Sequence, residues 1–414
     1  MPTAKDILNV LFDINGFIIV AEHCHFDRSS HSGIIWIQQE ELSNGICDSC
    51  GCFCRQFKDK KVRTYRDVDF GPWRITLCIE KRRVCCPRCG VRSERLPFAD
   101  KRSKYTRRFE IAVFKDCSDE PIRKVAHRHN LSWDSTAYIE KKYLKHWQSH
   151  YTQVTGVTWL GIDEMCLGRK DKVVSIISNL KTGSIIGLVE GNSMFALDSY
   201  FTLVGKAFCN NIEVVCIDMW KAFASSVERF CPNAKIIYDK FHIMRHLNNA
   251  IDEVRRVEFF RKGGFYRELV KGKRWLFLRR WFNLNAEQKG LLKETLALNS
   301  RLEKAYLLKE MFSHLWEYKR RSWAMKFLER WQKALRWQRL KPLEKFLDMI
   351  KSHLHGILNY CENKIPMGLV ENINGRIRTI FRRTRGYLNQ EHFALKIMFS
   401  TSEDKHLFLN TFHS

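Results

Sequence analysis

Two short stretches decide the reading: Trp159-Leu160-Gly161-Ile162-Asp163 and Val214-Val215-Cys216-Ile217-Asp218, each an apolar run that stops on an aspartate. Continuous apolar runs of this length suit strands buried on both faces, as in a parallel sheet covered by helices. A carboxylate where such a strand emerges is costly unless a charged partner meets it. If the two strands lie side by side, Asp163 and Asp218 converge on one point. Hard oxygen ligands of that kind suit Mg²⁺, whose waters and substrate phosphates complete the octahedron. Taken singly, either aspartate could equally cap a turn or a helix N-terminus.

Working outward, residues 155–256 alternate strand and helix. Segments 157–162, 172–178 and 184–190 read as successive strands, with Lys181-Thr182-Gly183 as a turn, and 212–217 and 234–238 as two more. Helices are expected over 197–208, through Phe223 and Val227, and from about residue 241, which makes this an α/β domain. Asp239 and His242 follow the last strand and open the long helix; Asp239 reads as its N-cap, and His242 as a structural histidine or a residue lining the same cleft. From 257 to 360 the chain is helical, basic and rich in Trp, and residues 251–390 hold 32 Lys and Arg against 14 Asp and Glu. In the last segment, 361–400, Val370, Ile373, Ile377 and Ile380 or Phe381 form an apolar helical stripe. Glu371 sits beside that stripe among Arg376, Arg378, Arg382, Arg383 and Arg385. It is either a salt-bridging residue or a third metal carboxylate.

The N-terminal 98 residues are Cys-rich. Cys47-Asp48-Ser49-Cys50 and Cys86-Pro87-Arg88-Cys89 are two CxxC pairs, each followed by glycine, within a ribbon of about residues 45–92. Strands over 62–70 and 74–84, joined by a turn at Gly71-Pro72, make a β-hairpin that brings the pairs together. Four thiolates satisfy one Zn²⁺ completely, so the site reads as structural zinc, against a metal-free reduced cluster. Cys52, Cys54 and Cys85 are rival ligands. Residues 99–150 turn helical: Pro121 opens a short helix with Val125 and Ala126 inward, the chain breaks at His129-Asn130-Leu131, and Ser132 caps a second helix over 133–144. That spacing suits a helix-turn-helix. Ser135, Thr136, Tyr138, Lys141 and Lys142 occupy non-core positions from which phosphates or base edges are within reach, the alternative being an ordinary helical hairpin with solvated lysines.

The whole chain is 414 residues long with 71 Lys and Arg against 45 Asp and Glu, a formal charge of +26. Length argues for two or three domains, and a 45% hydrophobic content excludes disorder. So basic a balance favours polyanionic partners, nucleic acid first. No stretch approaches the roughly 18 apolar residues of a spanning helix. Residues 8–21 are broken by Asp13, Asn15 and Gly16 and lack a basic start, so a secretory signal is not expected and the compartment reads as reducing cytoplasm. Fifteen cysteines, an odd count crowded near the N-terminus, fit metal binding in a reducing compartment better than disulfides.

These motifs, in this order, resemble the ISL-three family of bacterial insertion-sequence transposases of the DDE type. Arg63-Thr64-Tyr65-Arg66-Asp67 through Gly71, and Arg82-Arg83-Val84 before the second CxxC, resemble that family's zinc ribbon. Gly161-Ile162-Asp163-Glu164, Ile217-Asp218-Met219-Trp220, Asp239-Lys240-Phe241-His242 and Gly368-Leu369-Val370-Glu371-Asn372-Ile373-Asn374 with Gly386-Tyr387 resemble its catalytic core. Cys85, immediately before the expected Cys86, departs from the pattern. The resemblance implies a multidomain α/β protein with a zinc ribbon, a helix-turn-helix and a ribonuclease-H-like core interrupted by an all-helical insertion. The insertion would account for the long interval between Asp218 and Glu371. It also implies Asp163, Asp218 and Glu371 as catalytic acids holding two Mg²⁺ or Mn²⁺ ions, with Glu164, Asp239 and His242 as secondary candidates. Cys47, Cys50, Cys86 and Cys89 would hold one structural Zn²⁺. The implied partners are double-stranded DNA, at element ends and target, and further copies of the chain in a homodimer or larger synaptic assembly. Two rivals are a non-catalytic DNA-binding regulator of the same descent and a structure-specific nuclease with the same core.

Overall fold

The computed structural model describes residues 14, 16–39, 45–151, 156–166, 173–262, 264–365, 369–383 and 389–412. Lys172, Met367-Gly368, Arg385 and Gly386-Tyr387 lie outside them, as does the side chain of Glu371. The chain divides into two compact units, residues 1–149 with 406–414, and residues 150–405.

The first unit is built on a six-stranded sheet. Its strands are β1 (Phe17–Ile19), β2 (His25–Asp27), β3 (Ser32–Gln39), β6 (Phe57–Arg66), β7 (Arg74–Cys86) and β8 (Gly90–Ser93), while β4 (Gly45–Ile46) and β5 (Phe53–Cys54) pair separately. The expected hairpin is β6–β7, antiparallel from Arg66 opposite Thr76 to Phe57 opposite Val84. It starts earlier than the 62–70 reading and ends at Arg66, because the chain leaves the ladder there to bury Asp67. That carboxylate is fully buried, accepts the Thr106 hydroxyl at 2.6 Å and pairs with Arg108. The hairpin is also only part of the sheet, since β3 runs parallel to β7 and brings β1 and β2 with it. Alternation then places Ile35, Ile37, Tyr65, Ile75, Leu77 and Ile79 on one buried face.

Three helices follow, Arg107–Asp119, Ile122–Arg128 and Trp133–Tyr151. Thr106 caps the first by accepting the Phe109 N–H, and Pro121 precedes the second, where a missing N–H costs nothing. Val125 and Ala126 are buried as expected, Asn130 turns the chain with φ 53°, and Ser132 Oγ accepts the Ser135 N–H at 3.1 Å to start the third. The last helix, Lys405–Asn410, places Phe408 edge-on to Phe114 of the first.

The second unit carries a five-stranded sheet in the order β11 (Ile185–Glu190), β10 (Val173–Asn179), β9 (Trp159–Cys166), β12 (Val214–Ile217), β13 (Lys235–Tyr238). The first three strands are antiparallel neighbours; β9, β12 and β13 are parallel. Helices Met194–Asn210 and Lys221–Phe230 cover one face through Leu197, Tyr200, Phe201, Phe223 and Val227. On the other face Ile373 and Ile377 of helix Leu369–Arg383, with Phe393 and Ile397 of helix Gln390–Thr401, pack on Met165, Val174, Ile176 and Ile185. Val214, Cys216 and Ile237 share a core with the helical stretch that begins at Lys240–Lys262, so that stretch is docked on the sheet rather than hung from it. Among the described residues no helix is long and apolar enough to cross a membrane.

Candidate active site and thiolate cluster

Pairing decides where the aspartates go. On the parallel pair β9–β12, Cys216 lies opposite Gly161, and two residues further stand Asp218, just past the end of β12, and Asp163, still within β9. On β12–β13, Ile217 lies opposite Tyr238, so Asp218 and Asp239 are the next row. Three adjacent parallel strands thus bring an aspartate to one register, at the carboxyl ends of β12 and β13, the end at which open α/β sheets bind ligands. β9 itself continues to Cys166, because β10 stays paired with it through Asp163 opposite Ile176. Asp163 therefore marks where β9 outruns β12, and is not the strand end that its sequence suggests.

The surroundings of the three differ. Asp163 Oδ1 accepts the Glu164 N–H at 2.8 Å, and Oδ2 accepts the side-chain amide of Asn374 at 2.5 Å. Burial pushes the Asp163 carboxyl above its usual range, against both hydrogen bonds and the charge of His242, with the Asp239 charge adding to the push. Asp218 Oδ1 accepts the Met219 N–H at 2.6 Å, while Oδ2 faces His242 Nε2 at 3.7 Å and Arg245 at 4.0 Å. Asp239 takes the Phe241 N–H at 2.9 Å, as a helix-opening carboxylate does, and accepts from His242 Nδ1 at 2.9 Å. Burial works against a charged His242, but the bond to Asp239 and the charges of Asp218, Asp239 and Asp163 outweigh it and raise its pKa. His242 thus stands between two carboxylates, bonded to Asp239 through Nδ1 and facing Asp218 with Nε2. Glu164 is turned to the other side of β9 by strand alternation and accepts from Asn192 at 3.1 Å.

Asn374 was not singled out by the sequence. It lies one helical turn after Glu371 on helix Leu369–Arg383, and residues three apart share a helix face, so its contact with Asp163 brings the Glu371 backbone to this end of the sheet. Its other amide atom, Oδ1, is buried and has no hydrogen-bond partner among the described residues. Carboxylates and a spare amide oxygen are the donor set that a hard divalent cation takes. The fit is chemical, not a closed cage, because Asn374 engages one oxygen of Asp163 and His242 and Arg245 face one of Asp218.

In the first unit, Cys47, Cys50, Cys86 and Cys89 bring their Sγ atoms within 4.8 Å of one another, the one such His, Cys, Asp or Glu cluster among the described residues. Tetrahedral zinc at about 2.3 Å from each sulfur needs sulfurs about 3.8 Å apart, so the donor set and spacing fit Zn²⁺. Each knuckle turns at a left-handed glycine, Gly51 with φ 76° and Gly90 with φ 70°, which a residue bearing Cβ adopts only with strain. Cys52 and Cys54 pack alongside, and alternation in β7 turns Cys85 away from Cys86.

On helix Trp133–Tyr151 the five polar positions part company. Tyr138 is 68% exposed and Ser135 half-buried beside the Ser132 cap. Thr136 is fully buried and returns its hydroxyl to the Ser132 carbonyl at 3.0 Å. Lys142 is tied to Asp100 at 2.6 Å and to Glu110, and Lys141 is half-buried. Trp133, 45% exposed at the start of the helix, was passed over.

A family model described as a transposase matches residues 160–397, and a second, described as the helix-turn-helix domain of transposase family ISL3, matches residues 94–136. The chain is 29% identical over 356 residues to the transposase for insertion sequence element IS1001 of Bordetella parapertussis, covering 85% of this chain and 87% of that one. It is 22% identical over 371 residues to the transposase for insertion sequence element IS1557 of Mycobacterium tuberculosis, covering 82% of each.

Proposed function

The chain belongs to the transposase family whose model matches residues 160–397, and on that premise we propose that it binds the ends of its own insertion sequence and cuts and joins DNA there. Asp163, Asp218 and Glu371 would be the acids of a divalent-metal site. The observation that best supports the reading is the shared register of Asp163 and Asp218, with Asn374 carrying the Glu371 helix to Asp163. The sheet order, with β9 central and β10 antiparallel to it, supports a ribonuclease-H-like core with the helical stretch 257–360 inserted.

Two Mg²⁺ or Mn²⁺ ions bound there would activate the attacking oxygen and neutralise the leaving oxygen of an in-line displacement at phosphorus. The protein's own part is placement. Asn374 fixes the Asp163 carboxylate, His242 holds Asp239 and lies against Asp218, and the sheet sets the spacing of the strands that carry them. Water as nucleophile gives strand hydrolysis at an element end, and the freed 3′-hydroxyl gives joining to target, with no covalent protein intermediate. The first unit would read the ends through its helix-turn-helix, supported by one structural Zn²⁺ on Cys47, Cys50, Cys86 and Cys89. Two ends must be handled together, which calls for a homodimer or larger assembly on DNA, in the bacterial cytoplasm.

The test is Asp163→Asn, Asp218→Asn and Glu371→Gln. Each should abolish cleavage and joining of a duplex bearing the DNA that flanks the gene, with duplex affinity kept, and double variants should be no worse than single ones. A Glu371→Gln protein that still cleaves with Mg²⁺ would assign Glu371 to a salt bridge and leave the third ligand to Glu164 or Asp239.

A further inference from the structure

Along β7 the side chains on one face read Ile75, Leu77, Ile79, then Lys81, and along β6 Tyr65 gives way to Arg63. The face that forms the core of the first unit thus turns cationic toward the thiolate cluster. That cationic end does not lie open on a flat sheet. It forms a wall of a cleft of 1230 Å³, shared with Arg92 of β8 and with Arg102 and Lys104 of the segment that crosses above it. Arg102 holds this segment in a left-handed turn, φ 64°, a conformation that a non-glycine residue keeps only when its surroundings fix it. Lys81 and the same segment also line a second hollow, of 770 Å³, whose wall includes Ser135 and Tyr138 of helix Trp133–Tyr151.

The charges in the cleft are not internally balanced. Lys101 reaches Asp48 at 3.7 Å, and Arg83 is paired with Asp59. Arg63, Lys81, Arg92, Arg102 and Lys104 form no ion pair within 4.0 Å among the described residues. Lys81 is half-buried, and burial lowers its pKa; Arg63 adds to the drop, while Asp48 and Glu94 oppose it. Arg63, Arg92, Arg102 and Lys104 are exposed around the half-buried Lys81, and an anion in the cleft relieves their mutual repulsion.

We infer that this cleft is a second DNA contact, in which Arg63, Lys81 and Arg92 grip the phosphate backbone of duplex lying across the helix-turn-helix. The inference rests on the reading that the first unit binds DNA, and it adds that a sheet face, not the third helix alone, bears the electrostatic load. The occupant is double-stranded DNA because the cleft shares Lys81 and the 101–105 segment with the hollow that Tyr138 lines, on the element matched as a helix-turn-helix. Contacts to phosphate position a protein without reading sequence, and each releases bound counter-ions.

The test uses the full chain carrying Arg63→Gln, Lys81→Gln and Arg92→Gln together. Anisotropy titrations would use a labelled random duplex of about 30 base pairs, a duplex with the DNA flanking the gene, and a single strand of equal length, at about 50 to about 200 mM salt. The expected result is a slope of log affinity against log salt reduced by about 2 to 3, since each lost contact removes about 0.9. The loss should be equal on both duplexes, with no loss of thermal stability, because the substitutions remove mutual repulsion. An unchanged slope overturns the inference, as does an equal loss on single strands, which would make the cleft a single-strand site. The Arg63→Lys, Lys81→Arg, Arg92→Lys protein should restore the slope, and a variant slope that stays reduced in it would assign the effect to packing. If the parent itself fails to prefer the flanking duplex, the end-binding reading fails while the cleft is still judged by its slope.

Discussion

Asn374→Ala is the most informative single change in the catalytic unit, because it touches no acid. It removes the amide that donates to Asp163 Oδ2 at 2.5 Å and leaves the carboxylate oriented by the Glu164 N–H alone. A hydrogen bond to a charged group contributes about 1.5–3 kcal/mol, and loss of a residue that orients a metal ligand typically costs about 10–100-fold in metal affinity or activity. At about 1.4 kcal/mol per tenfold the two estimates agree. Cleavage of a labelled duplex bearing the flanking DNA should therefore fall about 10–100-fold, with part of the loss recovered at high Mg²⁺ and duplex affinity unchanged. Asn374→Asp should do worse, since it sets a second carboxylate against Asp163, which burial already holds above its usual pKa. An Asn374→Ala protein that cleaves within about twofold of the parent at every Mg²⁺ concentration would refute the argument, because Asp163 would then be placed without help.

Chelation of the thiolate cluster, or Cys86→Ser, should release one Zn²⁺ per chain and loosen the two knuckles while the six-stranded sheet keeps its own core of Ile35, Ile75 and Leu77. Metal analysis that finds reduced, folded protein free of zinc would end that reading. Arg82 and Glu94, 6% and 5% exposed, form a forked ion pair, so Glu94→Gln should destabilise the first unit by about 3–5 kcal/mol, whereas Arg82→Met with Glu94→Leu should recover most of it. Equal melting temperatures for the single and double variants would show that the pair is not coupled.

What could be read from the sequence was what local pattern records. Apolar runs bounded by turn residues marked the five strands around Asp163 and Asp218, and CxxC spacing marked the thiolates. Pairing partners are non-local and left no such trace. Ser32–Gln39 is not among the strands expected from the sequence, and nothing near it says that it will lie parallel to β7, with Ile35 and Ile37 in the core. Lys142 looks like a free cation until Asp100 and Glu110 fold against it, and Thr136 looks available until the Ser132 cap takes its hydroxyl. Asn374 is the extreme case: a polar residue on an arginine-rich helix whose one informative contact lies 211 residues away.

The same register that explains the site also poses its electrostatic problem. Three aspartates in one row across β9, β12 and β13 repel one another, and the protein answers at one end only. His242 and Arg245 face Asp239 and Asp218, whereas Asp163 receives a neutral amide and a backbone N–H. Burial raises the pKa of the Asp163 carboxyl despite both hydrogen bonds. A cation entering between Asp163 and Asp218 would meet, on the β9 side, a carboxyl with no cationic side chain at ion-pair distance among the described residues, where the Glu371 helix arrives. Asp239, already engaged by His242 and capping its own helix, is the least free of the three to leave its contacts for a metal. Charge compensation thus ranks the row in the order that the acid substitutions test, with Asp163 and Asp218 ahead of Asp239, for a reason independent of any likeness to other transposases.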